Sequence, residues 1–577
     1  MAKHKKIPSK VQIVEAYKSG ELIDDIFDRF DFGVDADFDS IVETCVGLHE
    51  AGEIDLLALT KSPKLEAIEG HRFFIGQRFF CKAIPNLSAS TDEMMQCVQT
   101  LVQKGGSDLA SNYPNAAFRE WCEADLSRAQ DVIDAAKKDD PLAIDFLTFA
   151  LTAGNLVEEA KDFVEKYIDN RRHCGVTALG RMNYATPTEA RGALSTLLSA
   201  LGNEADDRLF ANVLMSALDI VENTDQITCD EAIGIIKRVC VAPGSHTHFC
   251  CARALWQHVQ SLSEDAVALL LQALNSLDPS NKGTIRELDN GLQKLLNTTF
   301  EDRAIEFLAK LLSSPEKNLN LSEFQSFGRG LIEGPKERFH TVFISWMLLG
   351  EPVLCDGIND LLRHADRGER AIDLPLEDFN LSPRKQIFLC RKTIGYLFLQ
   401  PVVAASVLVS VLRICDDNVA ETVRNLLFDP LLVNYSGSVR DYLSGIDSQD
   451  AAHPHIQAAL KQSEVYLDDL KSAGNIKELH PSEHERQIEY LRFHDQMQQA
   501  YKEAEKKSVL LSLVSRSVIL YGHKTLTYVQ GPGNEHRPVE MELQPHSTTA
   551  EIPRMDIIDP IGLDYMLRVF RIERLKS

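Results

Sequence analysis

A chain of 577 residues outgrows a single hydrophobic core, so two to four domains or one extended repeat array is expected. A hydrophobic share of 44% with 25% charged residues excludes wholesale disorder. The formal net charge of -24 disfavours non-specific attraction to nucleic-acid phosphates or anionic lipid, and favours protein partners with a basic surface.

The start is basic (Lys3, Lys5, Lys6, Lys10), and no apolar signal segment stands behind it. Carboxylates then crowd the chain at Asp24, Asp25, Asp28, Asp31, Asp35, Asp37 and Asp39. Their order does not match a calcium loop, so they read as a solvated acidic face of an N-terminal helical region spanning 1–110. The twelve cysteines are scattered, most inside helical patterns, with no disulfide-framework spacing. Reduced, buried thiols in a cytoplasmic protein are the expectation.

From Pro8 to Gly474 the pattern is helix after helix, broken by signals such as Gly105-Gly106, Asp139-Asp140-Pro141, Ala242-Pro243-Gly244 and Asp278-Pro279. The spacing of the helices is informative. Segments beginning at Thr186, Cys229, Ser263 and Phe300 each have an acidic first turn, a small residue, and aliphatic positions three and four apart. Acidic residues there suit the positive end of the helix dipole. Leu194, Ile233, Val267 and Ile305 match at intervals of 34 to 39 residues, with Phe343 as a fifth position. That is the period of paired-helix repeats. Over 140–364 the chain resembles the HEAT and armadillo-like helical repeats, at the level of fold, without the proline and aspartate/arginine positions of strong HEAT units. The resemblance implies an array of stacked helix pairs, placed at 111–480. The fold class is therefore mainly α: an α-solenoid or an irregular stacked helix-pair array, closed by a small C-terminal α+β module.

Four motifs bear on chemistry. Cys240, His246, His248, Cys250 and Cys251 are zinc-type ligands, but no C-x2-C pair is present. They read as a loop with two solvated histidines followed by a helix. Gly328-Arg-Gly330 through Gly334-Pro335-Lys336 is glycine-rich, yet Pro335 stands where a phosphate loop needs glycine, so a turn between helices is expected. Thr393–Leu412 is uncharged and long enough to span a membrane, but Gln400-Pro401 divides it into two buried helices of about ten residues. His480, Glu483 and His484 match the H-x-x-E-H pattern of zinc hydrolases. Pro481 at the first helical position leaves His480 outside the helix and spoils that geometry.

The last region, 481–577, differs. A long charged helix runs from Pro481 to Lys507, supported by the Glu503–Lys507 pair, with Tyr490, Phe493, Met497, Tyr501 and Ala504 on one face. An apolar run follows to Gly522. Lys524–Gln530 and Pro538–Leu543 alternate with period two around Gly531-Pro532-Gly533-Asn534, which reads as a β-hairpin. Asp559-Pro560 opens a closing amphipathic helix with Leu563, Met566, Leu567 and Phe570 inward.

The functional expectation is a non-enzymatic scaffold or adaptor binding other proteins, with no cofactor, no metal and no small-molecule substrate. Tyr490, Phe493, Met497 and Tyr501 are the candidate partner-binding residues. A nucleic-acid binder using Arg171, Arg172 and the C-terminal arginines, and a zinc-dependent hydrolase built on His480, Glu483 and His484, are the alternative classes.

Overall fold

The computed structural model describes residues 8–29, 35–106, 108–202, 206–224, 230–364, 371–476, 480–507, 514–519, 524–530, 536–542 and 551–575. Contacts divide the chain after Pro335 into two compact units, 1–335 and 336–577. The turn signal Gly334-Pro335 falls there, but nothing in the sequence sets it apart from the other breaks between helices.

Helices of nine residues or more are numbered in chain order. In the first unit they are α1 (Lys10–Ser19), α2 (Asp35–Glu50), α3 (His71–Ala83), α4 (Thr91–Gly105), α5 (Tyr113–Ala124), α6 (Leu126–Lys137), α7 (Pro141–Ala153), α8 (Val157–Lys166), α9 (Asn170–Arg181) and α10 (Pro187–Ala200). They continue as α11 (Asp207–Asn223), α12 (Asp230–Val239), α13 (Ser245–Gln257), α14 (Glu264–Leu274), α15 (Lys282–Leu295), α16 (Glu301–Leu312) and α17 (Gln325–Glu333). From α3 to α17, each odd-numbered helix packs on the next odd-numbered one. On the other side α8, α10, α12 and α14 pack in their own succession. Two layers of helices thus advance together, one pair per step, which is the construction of an α-solenoid.

The core lies between the layers. Leu147, Leu151, Val176, Leu179, Val213, Leu214, Leu255, Leu288 and Leu292 are buried from the odd layer, and Leu197, Ile235, Ile236 and Leu270 from the even one. Each such side chain contributes roughly 1.5–3 kcal/mol on burial. The sequence period traces the even layer alone. Leu194 and Val267 are buried and Ile233 and Ile305 half-buried, on α10, α14, α12 and α16 respectively. First turns there are acidic, with Glu264 and Asp265 opening α14 and Glu301 and Asp302 opening α16.

Carboxylates tie one step to the next. Asp289 of α15 accepts hydrogen bonds from the backbone N–H groups of Ser326 (2.9 Å) and Phe327 (2.8 Å) at the start of α17. Asp207 does the same for α13. The acidic face near the N-terminus is partly consumed in this way too: Asp24 pairs with Lys64 (2.6 Å) and Asp39 with Lys82 (2.8 Å). Asp31 of that cluster lies outside the described residues.

The second unit holds α18 (Lys336–Leu349), α19 (Pro352–His364), α20 (Pro383–Leu397), α21 (Pro401–Leu412), α22 (Asp417–Leu426), α23 (His453–Ala473), α24 (Glu483–Lys507) and α25 (Pro560–Ile572). Here α18, α20, α22 and α23 pack in succession, and Phe343 is buried in α18. The apolar stretch 393–412 is two helices broken at Pro401, as its punctuation requires, and both are buried. No helix among the described residues is long and apolar enough to cross a membrane. Ser406 and Ser410 on α21 accept from the N–H groups of Ile372 (2.8 Å) and Leu374 (3.2 Å), anchoring an extended segment on the helix.

Three strands, β1 (Val514–Ile519), β2 (Lys524–Gln530) and β3 (His536–Glu542), pair antiparallel in that order, with Lys524 opposite Glu542 and Gln530 opposite His536. The turn read at Gly531–Asn534 lies outside the described residues. Residues 551–575 then return to the second unit. Glu551 accepts from the N–H groups of Gly437 and Ser438, both at 2.8 Å, and α25 packs on α20.

Candidate functional site

The first unit contains a cleft of about 440 Å³ lined by Asn170, His173, Arg208, Ala211, Asn212, Ser245, His246, Phe249, Cys250 and Asn281. These residues belong to the first two turns of α9, α11 and α13 and the cap of α15. The cleft therefore crosses the N-terminal ends of four consecutive helices of one layer, all pointing the same way. A solenoid makes such a surface because each step repeats the last.

Local capping builds it. Asp169 accepts from Arg171 N–H (3.0 Å), Asp206 from Arg208 N–H (3.0 Å), and Asn281 from Thr284 N–H (3.2 Å). These side chains take up N–H groups that a helix start leaves without a partner. At α13 the acceptor comes from the neighbouring helix. Asp207 receives N–H bonds from Gly244 (3.0 Å), His246 (2.8 Å) and Thr247 (3.1 Å). Burial acts to raise the Asp207 pKa, but the hydrogen bonds from Thr247, His246 and Gly244 together outweigh it and hold the carboxyl below its usual range.

Among the described residues no aspartate or glutamate lines the cleft; the carboxylates stand behind its histidines. His173 Nε2 is 3.4 Å from Asp206, and His246 Nδ1 is 3.3 Å from Asp207. Asn212 Nδ2 lies 3.2 Å from His173 Nδ1. Cys250 is pushed up to about 11 by burial, so at neutral pH it is a thiol rather than a thiolate. The arrangement offers amide, imidazole and guanidinium groups beside the Phe249 ring, which can donate and accept hydrogen bonds.

The zinc-type motifs come apart. Residues 245–257 form a helix, where a loop was expected, because Asp207 supplies the missing cap. His248 is therefore buried, its Nε2 3.2 Å from the Ala273 carbonyl and 3.0 Å from Ser276 Oγ, and burial lowers its pKa. His246 lies at the cleft. Pro481 precedes α24 and does not open it, while Ser482 and Glu485 mark its start as the sequence suggests: Glu485 N–H donates to Ser482 Oγ (3.2 Å) and Ser482 N–H to the Glu485 carboxylate (2.8 Å), a reciprocal capping box. His480 is outside the helix, its Nε2 2.9 Å from the Gly474 carbonyl. Among the described residues no group of three or more His, Cys, Asp or Glu side chains could hold a metal ion. Gly328 and Gly330 lie within α17, so the glycine-rich segment is helix before it is turn.

The arginines considered for nucleic acid are engaged internally. Arg171 bridges Asp139 (2.6 Å) and Asp169, and Arg172 Nε donates to the Val164 carbonyl (3.1 Å). Arg568 pairs with Asp564, and Arg571 Nε donates to the Gly395 carbonyl (2.6 Å).

Tyr490, Phe493, Met497 and Tyr501 are 68%, 55%, 40% and 67% exposed on α24, so this stripe is surface rather than core. Every residue of α24 from Glu483 to Glu503 is exposed. The cleft residues Asn170, Arg208, Asn212 and Asn281 were not singled out from sequence. Their only trace there is an Asp or Asn recurring at helix starts, which carries no sign of which starts face one another.

Fold and cleft define a helical-repeat protein of the α-solenoid class. No family model matches the chain, and no curated protein matches it. Among solved structures, it is similar to an engineered protein at 11% identity, covering 77% of this chain and 98% of that one with a TM-score of 0.17. It is also similar to UNC-45 from Drosophila melanogaster at 12% identity, covering 81% and 84% with a TM-score of 0.21. At those scores the class rests on the packing within this chain.

Proposed function

We propose that the protein is a non-enzymatic scaffold or adaptor subunit that binds other proteins. The observation that carries this reading is the cleft across the N-termini of α9, α11, α13 and α15. Helices in one layer sit roughly 8–10 Å apart, so the four starts span roughly 30 Å, the length of about nine extended residues. Asn170, Asn212 and Asn281 each supply one donor and one acceptor group along that line, which matches the repeating N–H and C=O groups of an extended peptide. The net charge of -24 supports a partner whose remaining surface is basic. Helix α24, with its exposed stripe, is a second docking element.

The test is affinity purification of the tagged full-length chain from its native cells at low and moderate salt, beside a variant with Asn170→Ala, Arg208→Glu and Asn212→Ala. A stoichiometric protein retained by the wild type at moderate salt and lost by the variant is expected. Recovery of the chain alone, or of the same protein by both, refutes the cleft as the binding site.

A further inference from the structure

Helix α25 carries two apolar faces. Leu563 and Leu567 are buried on the side packed against α20. On the opposite side Ile561, Tyr565, Val569 and Ile572 recur at helical spacing and are 82%, 71%, 39% and 72% exposed. Ile557 and Ile558, just before the helix, are exposed as well. A helix apolar on both sides is ordinarily covered on both, and an apolar patch of this kind marks an interaction surface.

The helix is held with that second face outward. Lys392, fully buried, donates from Nζ to the Arg571 carbonyl, and Arg571 returns a bond to the Gly395 carbonyl at 2.6 Å. Arg391 pairs with Glu573 at 3.1 Å. Gly395 permits this approach, since a Cβ there would lie 3.2 Å from Phe570 Cβ and 3.3 Å from the Arg571 backbone nitrogen.

An apolar helix face is best covered by another amphipathic helix, and the chain contains one: α24, with Tyr490, Phe493, Met497 and Tyr501 exposed. Within one copy both stripes are exposed, so they do not cover each other. We propose that the outer face of α25 is the seat for α24 of a second copy of this chain, the two copies exchanging these helices reciprocally. This rests on the reading of α24 as a docking element. Each large side chain contributes roughly 100 Å² at such exposures. Two reciprocal contacts of four side chains on each helix then cover about 800 Å² per copy, the area of a standard stable interface. The contact is isologous and closes at two copies.

Sedimentation of the full-length chain tests it, with an α24 variant (Phe493→Glu, Met497→Glu) and an α25 variant (Ile561→Glu, Tyr565→Glu). All four positions are exposed, and unchanged helical circular dichroism checks that the variants fold. The wild type is expected as a dimer, each variant alone dissociating at least about 100-fold more readily. An equal mixture of the two variants restores one of the two contacts, the intact α24 of one meeting the intact α25 of the other, and should associate more tightly than either variant alone. A dimer that survives the α25 substitutions, or a mixture that associates no more tightly than either variant alone, overturns the exchange. A monomeric wild type that retains a different protein through α24 overturns it too, while leaving α24 as a docking element. A monomer in which the α24 substitutions change no retained protein overturns both readings.

Discussion

Asp207 is where one helix of the array finishes the next, and removing it should loosen the start of α13 specifically. Its carboxylate accepts three N–H bonds from Gly244, His246 and Thr247, and Thr247 is fully buried. Losing a helix N-cap costs about 0.5–2 kcal/mol, and leaving a buried donor without an acceptor costs about 1–3 kcal/mol. For Asp207→Ala we take about 2–3 kcal/mol, since Gly244 and His246 regain water while Thr247 does not. That corresponds to amide hydrogen exchange about 30- to 150-fold faster at residues 244–247. Gly244→Ala approaches the same contact from the other side. A Cβ there would sit 2.4 Å from the Asp207 carboxyl carbon, so the carboxylate must leave, and a similar acceleration follows. The pH dependence has a fixed sign. The folded pKa of Asp207 is lowered, so its contribution is complete above the unfolded value of about 3.9 and is lost as pH falls through the folded one. Wild-type protection at α13 should therefore decline in that acid window, and Asp207→Ala should not show the decline. Exchange within threefold of wild type in both Asp207→Ala and Gly244→Ala refutes the reasoning.

Two further perturbations probe the second unit. Ser406→Ala with Ser410→Ala removes the acceptors for the Ile372 and Leu374 N–H groups in a buried setting, and should cost about 1–3 kcal/mol per site, read as a lower urea midpoint by tryptophan fluorescence. Gly395→Val places carbon against Phe570 and Arg571, and should release α25, seen as loss of amide protection over 560–572 with α21 unaffected.

The alternation of apolar and polar residues determined much of the fold. Helices at Ile144–Leu151, at Leu209–Leu218, and on both sides of Pro401 follow from spacing of three and four, because one face must leave water wherever the chain coils. The break at Gln400-Pro401 was legible because a proline ring cannot continue a helix. The repeat was legible in the even layer, where acidic first turns and aliphatic positions recur in Leu194, Ile233, Val267 and Ile305. The odd layer, which carries the cleft, left less trace. Two of its starts are completed by groups distant in sequence, α13 by Asp207 over 37 to 40 residues and α17 by Asp289 over 37 to 38. For that reason His248 reads as a solvated loop residue in the sequence and is buried in the structure.

Exposure was the other quantity that only tertiary packing decided. A stripe such as Tyr490, Phe493, Met497 and Tyr501 has the same spacing whether it faces a core or water, and periodicity does not tell them apart. The same holds for α25, where Leu563 and Leu567 were legible as inward positions but Ile561, Tyr565 and Ile572 were not recognised as a second face. Helix content and the unit of repetition were local properties, set by each segment's own residues. The cleft and the two exposed stripes depend on which surfaces the neighbouring helices have already covered.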